Sequence, residues 1–272
     1  MALGVRDEAI YSVDMQFGIC SPTTLAADAH AGGWDFIEGN AQQMFKGTET
    51  DWQVPVSVSL TVPVVNAMLP GALRVVGPSV DDAAIDAYMA NVLQRAARSN
   101  VSTIVFGSGA ARGVPDGFSR DEAARQITSF LKRTAPVAGA HGVTIVIEPL
   151  HRGECNIINT VAEAMTHVHA VDHPAVQCLV DSYHFWLENE PLENLAVAMP
   201  WIKHVHVADR DGRAAPGESK TSDYDAFFKV IKKGGYDARG DKALCSVECR
   251  GLDLKSNGPA VLSFLRAAWS DA

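Results

Sequence analysis

The chain has 272 residues, 47% of them hydrophobic, which is enough for one sizeable core and the size of a single (β/α)8 domain spanning residues 1–272, with no second domain required. Its 23 Lys and Arg stand against 32 Asp and Glu, a net charge of about −9 with no long run of either sign; this disfavours a broad nucleic-acid footprint, because a duplex partner wants a basic stripe to neutralise phosphates. Five cysteines (Cys20, Cys155, Cys178, Cys245, Cys249) form no CxxC pair, and the first thirty residues carry Arg6, Asp7, Glu8 and Asp14 with no sustained apolar run, so the expectation is a cytoplasmic protein with reduced thiols and no signal peptide or membrane anchor.

In chain order, Phe17-Gly18-Ile19-Cys20 reads as a first strand, and Ser21-Pro22-Thr23-Thr24 resembles the start of a helix near 24–31. Asp35-Phe36-Ile37-Glu38 is the second predicted strand and Leu73-Arg74-Val75-Val76 the third, followed by helical spacing from about 81 to 99. Ser102-Thr103-Ile104-Val105-Phe106 is the fourth, ended by the loop signal Gly107-Ser108-Gly109; Val114-Pro115-Asp116-Gly117-Phe118 reads as a rim loop before a helix over about 120–139. Val143–Glu148 is the fifth strand. Thr160 is placed to cap a helix over 160–171, with Glu163 completing a capping box. Val176–Asp181, Ile202–His206 and Ala243–Glu248 are the last three strands, with helices near 189–198, 223–234 and 257–269 between and after them. Eight near-continuously apolar runs want cover on both faces, and the unit that repeats is strand plus helix. The expected fold is therefore α/β, a single TIM barrel; a doubly wound open sheet competes, but no GxGxxG follows the first strand.

The last four strands end in Glu148, Asp181, His206 and Glu248. In a barrel these side chains emerge at the C-terminal rim, where active sites are built. Two buried carboxylates close together are costly unless a cation compensates them. Asp181 adds a hard oxygen donor, and a histidine a borderline nitrogen; His204 and His206 share a strand face, so spacing alone leaves open which of them would ligate. The shell suits one divalent ion, Mn²⁺ first for its preference for carboxylates, with Mg²⁺, Co²⁺ or Zn²⁺ as alternatives. Nearer the N-terminus, Cys20, Glu38 and Asn40 follow strands at the same rim, and Glu38 reads equally as a structural acceptor. Phe185 and Trp186 read as pocket wall or core, with Trp34 and Trp52 weaker pocket candidates.

The motifs Glu148-Pro149-Leu150-His151-Arg152-Gly153-Glu154, Asp181-Ser182-Tyr183-His184, His204-Val205-His206 with Ala208-Asp209, and Ser246-Val247-Glu248 resemble the xylose-isomerase-like TIM barrels, in particular the sugar isomerase and epimerase branch that includes the D-tagatose and D-psicose 3-epimerases. The resemblance implies that Glu148, Asp181, His206 and Glu248 coordinate one divalent cation, and that Glu148 and Glu248 are also the catalytic groups, moving protons on opposite faces of the substrate. It implies that Glu154, His184 and Arg213, the last before Pro216-Gly217, bind substrate. His206 and Arg213 lie one residue further apart than in the family pattern, which makes Arg210 an alternative guanidinium. His151 stands where the 3-epimerases often carry asparagine, and the stretch 238–242 is enlarged.

On that reading the chain is a metal-dependent isomerase or epimerase of a ketose or related polyhydroxy carbonyl compound. It would work by proton abstraction through a cis-enediolate. One alternative is a metal-dependent lyase acting on a 3-oxo-glycoside, including a C-glycoside, and another is a noncatalytic sugar-binding barrel. Phosphodiester hydrolysis is disfavoured by the acidic balance and by the lack of histidine clusters after the early strands. The expected partners are a carbohydrate and further copies of the chain in a dimer or tetramer, with neither nucleic acid nor membrane.

Overall fold

The computed structural model describes residues 15–55, 59–238 and 243–272. Eight parallel strands close on themselves in sequence order: β1 (Gln16–Cys20), β2 (Phe36–Asn40), β3 (Val64–Asn66), β4 (Thr103–Phe106), β5 (Thr144–Ile147), β6 (Val176–Asp181), β7 (Ile202–Val207) and β8 (Leu244–Val247). The seam is made by β1 against β8, with Gly18 beside Ser246. Around them run α1 (Ala26–Ala31), α2 (Ala41–Phe45), α3 (Asp82–Arg98), α4 (Gly109–Arg112), α5 (Arg120–Ala140), α6 (Val161–Val171), α7 (Ser182–Leu187), α8 (Leu192–Ala198), α9 (Tyr224–Lys233) and α10 (Gly258–Asp271). This is a (β/α)8 barrel. No described helix is long and apolar enough to cross a membrane. The enlarged stretch before β8 falls outside the described residues from 239 to 242, as do the early charges at 6, 7, 8 and 14.

The strands lack polar alternation because both faces are buried. Ile145, Ile147, Val180, Val205, Val207 and Val247 belong to the large core between strands and helices, whereas Val64, Val105, Val146 and Leu179 form a separate small cluster that fills the barrel interior. Side chains two residues further along the interior face stand at the rim. Val146 leads to Glu148, Leu179 to Asp181, His204 to His206 and Ser246 to Glu248. A side chain at Gly18 would run into the Phe36 ring, so glycine there makes room for the interior phenylalanine.

One irregularity sets the phase of the site. Between β6 and β7, Cys178 pairs with Ile202 but Leu179 pairs with His204, so Lys203 is an extra residue in β7. The Tyr236 hydroxyl donates to the Lys203 carbonyl at 3.0 Å. The bulge lets Ile202 face the helices while both His204 and His206 face inward.

The predicted third strand is corrected. Leu73–Val76 is irregular backbone following a turn that the Leu73 amide closes on the Pro70 carbonyl; Val75 and Val76 are buried by packing, not by strand pairing. The strand is Val64–Asn66, directly after Pro63. That proline lacks an amide but its carbonyl accepts from Ser102 and Thr103, so it fits the strand entrance while masking the strand in the sequence. The predicted capping box is present with one change. Thr160 Oγ1 accepts from the Glu163 amide at 3.1 Å, while Glu163 reaches back to the amide of Asn159, at 2.6 Å, instead of Thr160.

Candidate metal centre

Four strand ends deliver the core of the site. Glu148 follows β5, Asp181 ends β6, His206 lies within β7 and Glu248 follows β8; one donor atom from each falls within 4.8 Å of the others. Glu148, Asp181 and His206 are buried and Glu248 is half-buried. His206 Nδ1 sits 3.2 Å from Glu148 Oε1 and 3.0 Å from Glu248 Oε2. Asp181 also caps α7, accepting from the Tyr183 amide at 2.8 Å, which fixes its carboxylate. Three acids and an imidazole converging in so little volume form a donor set that suits a hard divalent cation.

Burial, with Glu248's charge alongside, raises the Glu148 carboxyl above its ordinary range despite the hydrogen bond from His206. Burial would also lift Asp181, but His184 and Arg213 outweigh it and hold that group low. Burial disfavours a charged His206, yet Glu38 and the other surrounding acids raise its pKa well above that of free histidine.

Beneath the centre, Glu38 receives both histidines. His206 Nε2 is 3.0 Å from its carboxylate and His204 Nε2 is 2.8 Å away. Burial on its own would raise Glu38, but the two imidazoles prevail and keep it below the usual carboxylate range. Between the two histidines, His206 alone meets Glu148 and Glu248, while His204 meets Ser246 and Glu38.

Arg213 enters from the β7–α9 loop, which Asp209 organises by accepting from the Gly217 amide. It holds a left-handed backbone at φ 55°, after Gly212 at φ 67°. That conformation is costly for a side-chain-bearing residue, and here it turns the guanidinium inward. Nη2 donates to Glu248 Oε2 at 2.8 Å and Asp181 Oδ2 at 3.1 Å, and Nε to the Glu248 carbonyl. Arg210 instead points outward to Asn189.

His184 is buried, and its Nδ1 accepts from the His151 amide at 3.1 Å. That assigns the proton to Nε2, which has no hydrogen-bond partner and lies 3.7 Å from Asp181 and 3.9 Å from Glu154. It is a donor aimed into the site, not a lone pair. Glu154 is also 3.6 Å from Arg213, and His151 stacks on His184 while its Nε2 meets Glu154 at 3.3 Å.

A cleft of about 510 Å³ opens beside these groups, with Cys20, Asn40, Gln43, Asn66 and Ser108 in its wall along with Glu148, Glu154, Arg213 and Glu248. A larger cavity, about 880 Å³, lies at the opposite end around the strand entrances; no clustered ligating side chains line it among the described residues. Phe185 and Trp186 pack on Phe227, and Trp34 is core, so these aromatics build no pocket wall. Trp52 stacks under Arg95 and Arg98. The 114–118 stretch is a loop, pinned where the Val114 amide meets Asn156.

The sequence matches the xylose isomerase-like TIM barrel family over residues 57–266. The chain belongs to that family. Among curated relatives, the 3-dehydro-D-guloside 4-epimerase of Escherichia coli (strain K12) is 33% identical over 122 residues, 43% of this chain and 45% of the relative. The ketose 3-epimerase of Arthrobacter globiformis is 28% identical over 109 residues, 39% of this chain and 36% of the relative. These matches thus span less than half the length of either relative. By structure, the chain is similar to D-psicose 3-epimerase with D-tagatose from Clostridium cellulolyticum H10, with TM-score 0.79 and 18% identity, covering 94% of this chain and 99% of that one.

Proposed function

We propose that the protein is a divalent-metal-dependent isomerase or epimerase of a ketose or a related polyhydroxy carbonyl compound. The observation that carries this reading is the pair of glutamates, Glu148 and Glu248, both meeting His206 Nδ1 at the mouth of the barrel. Glu148, Asp181, His206 and Glu248 are the residues that would hold the ion, and three carboxylates favour Mn²⁺ among Mn²⁺, Mg²⁺, Co²⁺ and Zn²⁺. When bound, a divalent cation acidifies the proton beside a substrate carbonyl and stabilises the developing negative charge.

The chain's own groups supply the rest. One glutamate takes the proton, leaving a cis-enediolate, and the other returns a proton from the opposite face, which inverts the carbon. Return to the neighbouring carbon, with a hydroxyl proton passing between the two oxygens, moves the carbonyl instead. His184 Nε2–H, Arg213 and Glu154 surround the space where substrate hydroxyls would lie, so one donor, one cation and one acceptor orient them. Glu38 keeps His206 in place from below. His151 steadies His184.

The E. coli relative is named as a 4-epimerase of a 3-dehydro-D-guloside, an oxidised glycoside, so 3-oxo-glycosides are a second substrate class to test; on them the same abstraction beside the 3-oxo group leads either to epimerisation or to loss of the aglycone. Incubating Mn²⁺-loaded protein in heavy water with free ketoses and with 3-oxo-glycosides separates the outcomes by NMR. Deuterium at the carbon beside the carbonyl with a new epimer or isomer supports the first, and a released aglycone the second. Sugar binding with no exchange on any substrate would leave a binding barrel. The five free cysteines support a reducing, cytoplasmic setting, and assembly as a dimer or tetramer is checked by light scattering.

A further inference from the structure

Arg112, at the end of α4, is fully buried yet has no carboxylate bonded to its guanidinium. Its donors go to main-chain carbonyls. Nη1 donates to Phe106 at 2.8 Å, at the end of β4, and Nη2 donates to Glu148 at 2.7 Å, just past β5. The same Nη2 reaches the Ile158 carbonyl at 3.4 Å, and the guanidinium lies over the Phe106 ring. Nε has no partner. A buried guanidinium satisfied by carbonyl groups cross-links the main-chain segments that supply them.

What those carbonyls have in common is a loop. Glu148 begins the excursion that carries His151 and Glu154, and Ile158 ends it, in a left-handed conformation at φ 58° that a β-branched residue adopts only under constraint. The Leu150 amide donates to the Ile158 carbonyl, and Asn159 Nδ2 donates to the Leu150 and Cys155 carbonyls, closing the base of the loop. Arg112 therefore ties both ends of the loop to β4. The same turn acts on the side chain too: a methyl at Gly107 would run into Glu148 Oε2, so the missing Cβ is where that carboxylate lies.

We propose that the Gly107–Arg112 turn is a cradle for Glu148, in which Gly107 admits the carboxylate and Arg112 is a positioning residue that fixes the main chain beneath it. The inference rests on the metal-dependent isomerase reading. A lysine ammonium lacks the rigid fork with which the guanidinium holds the Phe106 and Glu148 carbonyls on separate nitrogens, so Arg112→Lys lets the Glu148 loop drift. Arg95 provides the control. It too is buried, and it donates only to the carbonyls of Phe45, Lys46 and Glu49, away from the site, so Arg95→Lys perturbs stability without touching Glu148.

The experiment titrates Mn²⁺ alone by calorimetry into wild type, Arg112→Lys, Gly107→Ala and Arg95→Lys, then measures kcat and KM on the ketose that wild type turns over. The expected result is Mn²⁺ affinity weakened about tenfold and kcat lowered at least tenfold, with KM little changed, in the Arg112 and Gly107 variants but not in Arg95→Lys. Wild-type Mn²⁺ affinity and wild-type kcat per metal-loaded molecule in Arg112→Lys would overturn the cradle. If Arg112→Lys does not fold, Gly107→Ala decides alone, and unchanged affinity and kcat there overturn it equally. A wild type that exchanges no substrate proton overturns the isomerase reading instead; the Mn²⁺ titrations then still decide whether the turn governs Glu148.

Discussion

A buried carboxylate needs donors, and Glu38 takes two from the imidazoles of His204 and His206. The arrangement fixes which His206 nitrogen is left for the centre, since Nε2 is occupied below and Nδ1 faces Glu148 and Glu248. Glu38→Gln keeps the shape but removes the charge that orients the ring. Its Mn²⁺ affinity is expected to drop 10- to 100-fold while circular dichroism stays that of wild type, and an unaltered titration would show that the imidazole orients itself. Glu148→Gln and Glu248→Gln are each expected to abolish turnover of a ketose; deuterium exchange without net epimerisation in one of them would identify which face that glutamate serves.

At the scale of single elements, α6 depends on its first turn. Thr160 Oγ1 caps the Glu163 amide and Glu163 returns a bond to the Asn159 amide, so Thr160→Ala removes one acceptor and loosens the other partner. The expected cost is about 1 kcal/mol, read as a lower urea midpoint with unchanged slope. Because Asn159 also closes the Glu148 loop, a fall in Mn²⁺ affinity in the same variant would show that the cap reaches the site. This cap was legible in the sequence because it is local, three residues apart. So were seven strands and the four rim residues, since a strand covered on both faces announces itself by composition and its last interior residue by a polar terminus. The strand after Pro63 was not legible. Its three residues hold their place through neighbours, and the rival Leu73–Val76 run offers Val75 and Val76, which are apolar because they are buried by packing outside the sheet. Glu38 stayed undecided for a related reason, its partners lying 166 and 168 residues away. Arg112 gave no signal at all. An arginine between glycine-rich turns reads as surface, and only the carbonyls folded around it reveal otherwise.

For the molecule as a whole, acid stability has an identifiable contributor in His167, which joins α6 to α5 through a 2.9 Å bond between Nδ1 and Thr128. Burial, followed by the charge of Arg112, pushes its pKa down from 6.5 to about 4. Between those values the unfolded chain holds the proton and the folded barrel does not, so stability present above pH 6.5 is lost as the pH falls through 4. The shift corresponds to about 3 kcal/mol, with roughly 2 kcal/mol gone by pH 5. Denaturation midpoints at pH 7 and pH 5 are expected to differ less in His167→Gln than in wild type; parallel losses would place the acid sensitivity elsewhere.

The seam between β1 and β8 joins residues synthesised far apart, Gly18 and Ser246 among them. At about 5–20 residues per second, a nascent β1 waits roughly ten to fifty seconds on the ribosome for its second neighbour. Throughout that wait one flank of the strand offers open amides and carbonyls to any other unpaired chain, which makes the interval before the eighth strand emerges the period when this protein most needs a chaperone.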